Sequence, residues 1–223
     1  QMPVSNPNAF GTLPMMYHAK VKRFSHANVR YEGGSLPERY RDKLFSIDPL
    51  NNAVVVSDIV PRGASFGTVD RFNAMESTDR AFRPVAIAVG PDGGVYVSDF
   101  YEYFIAHGQH FQGQIDATTG RIYRLRSKDA NPLAPFDLTK KSVGELVDLL
   151  SHENKWHRQT ALRLLADRQD ASVLPRLREQ VTREKGQLAL ESLWAAYQLG
   201  GFDDALALAA MRHGNPSVRT WGV

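Results

Sequence analysis

A chain of 223 residues with 43% hydrophobic content can bury a core, as one large domain or two smaller ones. Its 27 basic and 24 acidic residues are evenly spread, 15 and 13 in residues 1–130 and 12 and 11 in residues 131–223, so no basic arm points to nucleic acid. The absence of cysteine excludes disulfides, cysteine zinc sites and covalently held c-type haem within this chain. No apolar run approaches the roughly 18 residues of a membrane span. The start, Gln1-Met2-Pro3-Val4, shows no signal peptide.

Residues 1–26 read as irregular, with prolines at 3, 7 and 14. Val29–Tyr31 reads as a first strand, followed by Gly33-Gly34 and a helical turn over Leu36–Tyr40. Lys43–Ile47 and Ala53–Val60 read as strands around the turn Pro49-Leu50-Asn51-Asn52, and Pro61-Arg62-Gly63 as the next turn. Phe66–Phe72 completes a four-stranded unit, and Asn73–Arg83 is a polar connection. A second unit starts at Pro84–Gly90, where Val85, Ile87 and Val89 alternate. Asp92-Gly93 makes a tight hairpin turn to Val95–Ser98, because glycine supplies positive φ there. Phe104–His107 and Arg121–Leu125 complete that unit, with Gly108–Gly120 as a long loop.

The two units are copies. Lys43-Leu44-Phe45-Ser46-Ile47-Asp48 and Gly94-Val95-Tyr96-Val97-Ser98-Asp99 each end in aspartate before a turn, and the aspartates lie 51 residues apart. A β-rich unit recurring at that interval is the pattern of a β-propeller. Two blades do not close a propeller, so residues 1–130 read as its C-terminal blades, with 131–141 as a linker.

The periodicity changes after Pro132 and Pro135. Ser142 and Glu145 fit a capping box ahead of Val143, Leu146, Val147 and Leu150 at helical spacing. Asn154 caps a second helix, and further helices fit Val173–Thr182, Gln187–Leu199 and Asp204–Arg212. Asn215-Pro216 starts another. His157-Arg158 and Val218-Arg219 lie 61 residues apart, two repeats of a stacked-helix solenoid of the HEAT type over residues 142–223. The fold expectation is therefore β then α: a partial propeller followed by a truncated α-solenoid, in a chain that reads as a fragment. Trp156, Trp194 and Trp221 read as core.

Three segments, Phe82–Val85, Gly90–Tyr101 and Gly120–Leu125, resemble in order and spacing the membrane-bound dehydrogenases also called PVC-type haem-binding CxxCH proteins. The resemblance extends through Tyr31–Gly34, Leu36–Arg41, Leu149–His152 and Lys155–Ala161, nearly the whole chain. It implies a parent with a propeller similar to quinoprotein sugar dehydrogenases, a HEAT-like solenoid and a cytochrome c module. The implied activity is oxidation of a sugar or alcohol, with pyrroloquinoline quinone in the propeller and haem c outside this chain, in a periplasmic or exported protein. This segment alone is expected to be inactive. The alternative is a non-catalytic propeller and solenoid that bind a ligand or a protein partner.

Asp48, Asn51, Asn52, Asp99, Tyr101 and Glu102 fall on turns that share one propeller face with Ser77, Thr78, Asp79 and Arg83. Carboxylates and an arginine there suit a hydroxylated substrate or an anionic cofactor, so Asp79, Arg83, Asp99, Tyr101 and Glu102 are the binding candidates. An aspartate at a strand end more often serves its own turn. His107 and His110, near Asp116, are the metal-ligand candidates, set against an ordinary surface loop.

Overall fold

The computed structural model describes residues 27–63, 65–103 and 118–223. They fall into two units, one within residues 1–90 and 94–128, the other made of 91–93 and 129–223. Strands fill the first and helices the second, so the order is β then α.

The first unit contains a four-stranded antiparallel sheet, β1 (Asn28–Tyr31), β2 (Lys43–Asp48), β3 (Ala53–Arg62) and β4 (Ser65–Glu76), paired in chain order. A three-stranded sheet follows, β5 (Pro84–Val89), β6 (Val95–Asp99) and β7 (Arg121–Leu125), also in chain order. β-branched and aromatic residues dominate these strands, the types that pack best on a pleated surface. Phe45, Ile47, Val54 and Val56 of the first sheet share one core with Val95 and Val97 of the second. Tyr31 lies in that core with its hydroxyl accepting from Leu36 N at 2.8 Å, so its polar end is satisfied.

Two strand readings change. The strand expected over Phe66–Phe72 runs from Ser65 to Glu76, because register shifts near Val54–Ser57 let β3 keep pairing with polar residues. β7 bonds directly to β6, from Asp99 opposite Arg121 to Val95 opposite Leu125, so it takes the sheet position expected for Phe104–His107. Phe104–His107 and most of the loop expected over Gly108–Gly120 lie outside the described residues, as do residues 1–26.

The second unit contains α1 (Val143–Asp148), α2 (Lys155–Arg168), α3 (Leu174–Arg183), α4 (Gln187–Gln198), α5 (Asp204–Met211) and α6 (Pro216–Trp221). Leu146, Leu150, Leu165, Leu177 and Leu193 anchor its core. The capping box forms: Ser142 Oγ accepts from Glu145 N, and the Glu145 carboxylate accepts from Ser142 N at 2.8 Å. That backbone bond, with help from Lys141 and the Ser142 hydroxyl, holds the Glu145 pKa at about 2. Trp156 and Trp194 pack on the core, but Trp221 is 58% exposed, its ring meeting that of Trp194 edge-on at 5.4 Å.

Residues 142–162 and 203–223 are built alike, 61 positions apart. Ser142 and Asp203 cap the first helix of each pair, and Asn154 and Asn215 the second. His152 Nδ1 accepts from Asn154 N, as His213 Nδ1 does from Asn215 N, both at 3.0 Å. Arg158 Nη1 donates to the His152 and Glu153 carbonyls, and Arg219 Nη1 to those of His213 and Gly214. Each arginine thus ties its helix to the turn before it. Arg158 also reaches Glu191 of α4 through Nε at 2.9 Å, an ion pair with both side chains buried. Gln187 adds a bond to the same carboxylate at 3.0 Å.

Breaking a buried pair leaves an uncompensated charge, so Glu191→Ala should destabilise the helical unit by about 3–5 kcal/mol. Replacing both partners, Arg158→Met with Glu191→Leu, should recover most of that loss in urea unfolding. The caps make a second expectation. Depressed carboxyls stabilise above their unfolded pKa, so the contributions of Glu145 and Asp203, each at about 2 when folded, should fade as pH falls from about 4.5 to 2. Glu145→Gln should flatten that part of the acid-unfolding curve.

Candidate functional site

The turns of the first unit converge on one spot. Asp48 closes the β2–β3 turn: Oδ1 accepts from Leu50 N and Asn51 N at 3.3 and 3.2 Å, and Oδ2 from Asn51 Nδ2 at 2.8 Å. Asn52, held at φ +54°, donates its side-chain amide to the Phe82 carbonyl and to that of Arg80 at 3.5 Å. Asp79 makes the next turn, with its carboxylate accepting from Ala81 N at 2.9 Å. These bonds fix the segment 79–83 against the end of the first sheet.

Arg83 and Asp99 meet there. Asp99 is buried at the end of β6, and its Oδ1 accepts from Arg83 N at 2.8 Å and Tyr101 N at 2.9 Å. Arg83 sends Nη1 to the carbonyls of Pro49 and Phe82 at 3.0 and 3.3 Å, and Nη2 to that of Tyr103 at 3.3 Å. Burial lowers the Arg83 pKa, while the charges of Asp99 and Glu102 oppose the shift. Glu102 N donates to Ala81 O at 2.8 Å, and its charge acts on this arginine.

Two polar atoms at this spot keep open valence. Arg83 Nε, a donor, and Asp99 Oδ2, an acceptor, are both buried without a hydrogen-bond partner. Buried polar groups are ordinarily paired, so such atoms call for a water or a ligand. The rim is Tyr101, at φ +54°, with the Arg121 guanidinium 4.7 Å from its ring centroid. A hydrogen bond to Asp79, reinforced by that carboxylate's charge, pushes the Tyr101 pKa up. Gly120 lets β7 come this close: a Cβ there would stand 3.1 Å from Asp99 O.

The sequence candidates Asp79, Arg83, Asp99, Tyr101 and Glu102 are therefore brought together, Asp48 and Asn51 serve their own turn, and Asn52 buttresses the segment behind Arg83. Arg121 joins them, although the sequence showed it only as a strand residue. His107, His110 and Asp116 lie outside the described residues. No group of three metal-ligating side chains occurs among the described residues.

Residues 3–129 match a family described as a domain of unknown function, DUF7133. The chain belongs to the DUF7133 family. No curated protein matches it, and no solved structure does. The match covers all seven strands and every member of the Arg83–Asp99 cluster. In this DUF7133 chain the helices contribute a separate apolar cleft, about 650 Å³, lined by Trp194, Tyr197, Phe202 and Trp221 among others. The helical unit also holds His157, whose Nε2 donates to Pro91 O at 3.0 Å and whose pKa burial lowers.

Removing the buried acceptor should expose its double duty. Asp99→Ala strands two backbone N–H groups, so it should cost about 2–4 kcal/mol in the β unit, while Asp99→Asn, which keeps Oδ1, should cost less. Denaturant unfolding followed by tyrosine fluorescence measures both.

Proposed function

We propose that this chain is a segment of a propeller-type oxidoreductase acting on a sugar or alcohol, and that the Arg83–Asp99 cluster holds a hydroxyl of the substrate. The observation that carries the reading is that Arg83 Nε and Asp99 Oδ2, on two residues joined through Arg83 N and Asp99 Oδ1, are both buried without a partner. A hydroxyl donates one hydrogen bond and accepts others, so it offers what a free N–H donor and a free carboxylate oxygen each lack. The two antiparallel sheets, in each of which the second strand ends in a buried aspartate that organises the next turn, support the reading of consecutive propeller blades. The helices are then the first repeats of a HEAT-like solenoid, and electrons leave for a c-type haem module outside this chain. The family resemblance points to a periplasmic or exported protein.

The residues of the cluster do not fit pyrroloquinoline quinone, an acid with three carboxyl groups. Asp79, Asp99 and Glu102 outnumber Arg83 and Arg121, and the Arg83 guanidinium is already engaged by three carbonyls. A quinone in the parent is held by other residues. Haem c likewise belongs elsewhere, since its covalent attachment uses cysteine. Here the chain's own groups bind and orient: Asp99 and Arg83 fix a hydroxyl, while Tyr101 and Arg121 wall the approach. The abstraction of hydride and proton needs a base from another blade.

A second reading, a non-catalytic binding module, draws on a different observation: Asp99 Oδ1 and both Arg83 Nη atoms are spent on main-chain groups. Dye-linked dehydrogenase activity of the haem-bearing parent across sugars and alcohols, with and without added quinone, separates the two. The oxidoreductase reading expects turnover, and Arg83→Lys should raise KM about tenfold or more by losing Nε geometry. A correctly folded, haem-loaded parent that binds sugar without turnover would establish the binding module instead.

A further inference from the structure

The open bonding positions of the Arg83–Asp99 cluster are unequal in kind. Arg83 spends Nη1 on the Pro49 and Phe82 carbonyls and Nη2 on that of Tyr103, which leaves Nε as its buried open donor. Arg121 sends Nη1 to Thr119 O at 3.1 Å and lays its guanidinium on the Tyr101 ring. On the acceptor side, Asp99 is 4% exposed and its Oδ2 is open. The Glu102 carboxylate makes no hydrogen bond among the described residues, although its charge reaches Arg83. Asp79 is already used, since its carboxylate accepts from Ala81 N and from the Tyr101 hydroxyl. The open oxygens of Asp99 and Glu102, which only accept, therefore face a single buried N–H. The three carboxylates also outnumber the two guanidinium groups, so the charge of the cluster is negative on balance.

We infer that the preferred ligand carries a protonated amine beside the hydroxyl held by Asp99 and Arg83, as an amino sugar or amino alcohol does, and that Glu102 receives the ammonium and selects against carboxylated or phosphorylated sugars. The inference rests on the reading of this cluster as a hydroxyl site. An ammonium brings donors and positive charge, both of which the open oxygens lack. Its bond to Glu102 is charge-assisted and stronger than a neutral one. An acidic sugar would set acceptors against acceptors, and Arg83 has no second free edge with which to clamp it. Selection thus comes from repulsion of the wrong ligand as well as attraction of the right one.

The probes are glucose, glucosamine and glucuronate, titrated into the full chain at about pH 6 and followed by ligand-observed NMR. Glucosamine should bind about fivefold tighter than glucose, and glucuronate about fivefold weaker. Glu102→Gln should bring the three affinities to within about twofold of one another. An unfolded variant would lose all three sugars alike, so the ratios carry the result. In the unaltered chain, raising salt to about 0.5 M should narrow the spread, because exposed charges are screened there. Glucose binding that Arg83→Lys weakens, with no ranking among the three sugars, overturns the selection and leaves the hydroxyl site standing. A ranking that persists in Glu102→Gln overturns the role of Glu102. Binding of none of the three removes the hydroxyl site and the selection with it.

Discussion

The β unit depends on one carboxylate more than on any other side chain. Asp99 ends β6 inside the protein, and its Oδ1 receives the backbone N–H groups of Arg83, at the start of β5, and Tyr101, in the turn after β6. A single oxygen therefore sets the end of one hairpin and the direction of the chain leaving it. Because Arg83 N is pinned there, its guanidinium reaches the Pro49 carbonyl at the end of the neighbouring sheet. The turns join through side chains that satisfy main-chain groups. Such contacts resist displacement, since an unmade buried bond costs more than a made one contributes.

The helical unit works by a different rule. The first and last pairs, α1–α2 and α5–α6, are each closed locally by an asparagine cap and an arginine reaching back to the turn before it, and the helices share one apolar core. The buried Arg158–Glu191 pair joins α2 to α4. A buried ion pair is a weak source of stability compared with apolar packing. It does, however, fix register, because sliding α4 by one residue would strand a charge.

What was legible in the sequence was local. Asp92-Gly93 gave its hairpin because the turn needs positive φ, and Gly93 stands at +72°. Ser142 and Glu145 gave their cap because three residues of spacing suffice to close it. The strand-then-helix order followed from the change of period near Pro135. The pairing of β7 with β6 was not legible, since register across a long loop is decided by partners distant in sequence. Glu191 does not stand out in the sequence, because nothing within a turn of it announces Arg158, 33 residues earlier. In the candidate site, residue types and shared position were readable. Which oxygen or nitrogen remained open was not, because that depends on carbonyls such as those of Pro49 and Tyr103, which any residue carries.

The placement of the indole rings has a practical consequence. All three tryptophans, Trp156, Trp194 and Trp221, belong to the helical unit, while the β unit carries tyrosine and phenylalanine alone as its aromatic chromophores. Excitation at the red edge of the protein band therefore reports on the helices without contribution from the strands. The ring centroids of Trp194 and Trp221 are 5.4 Å apart, close enough for each to alter the other's emission. The fold thus carries a natural optical label on one of its two parts, and the order in which strands and helices melt is separable without adding a dye.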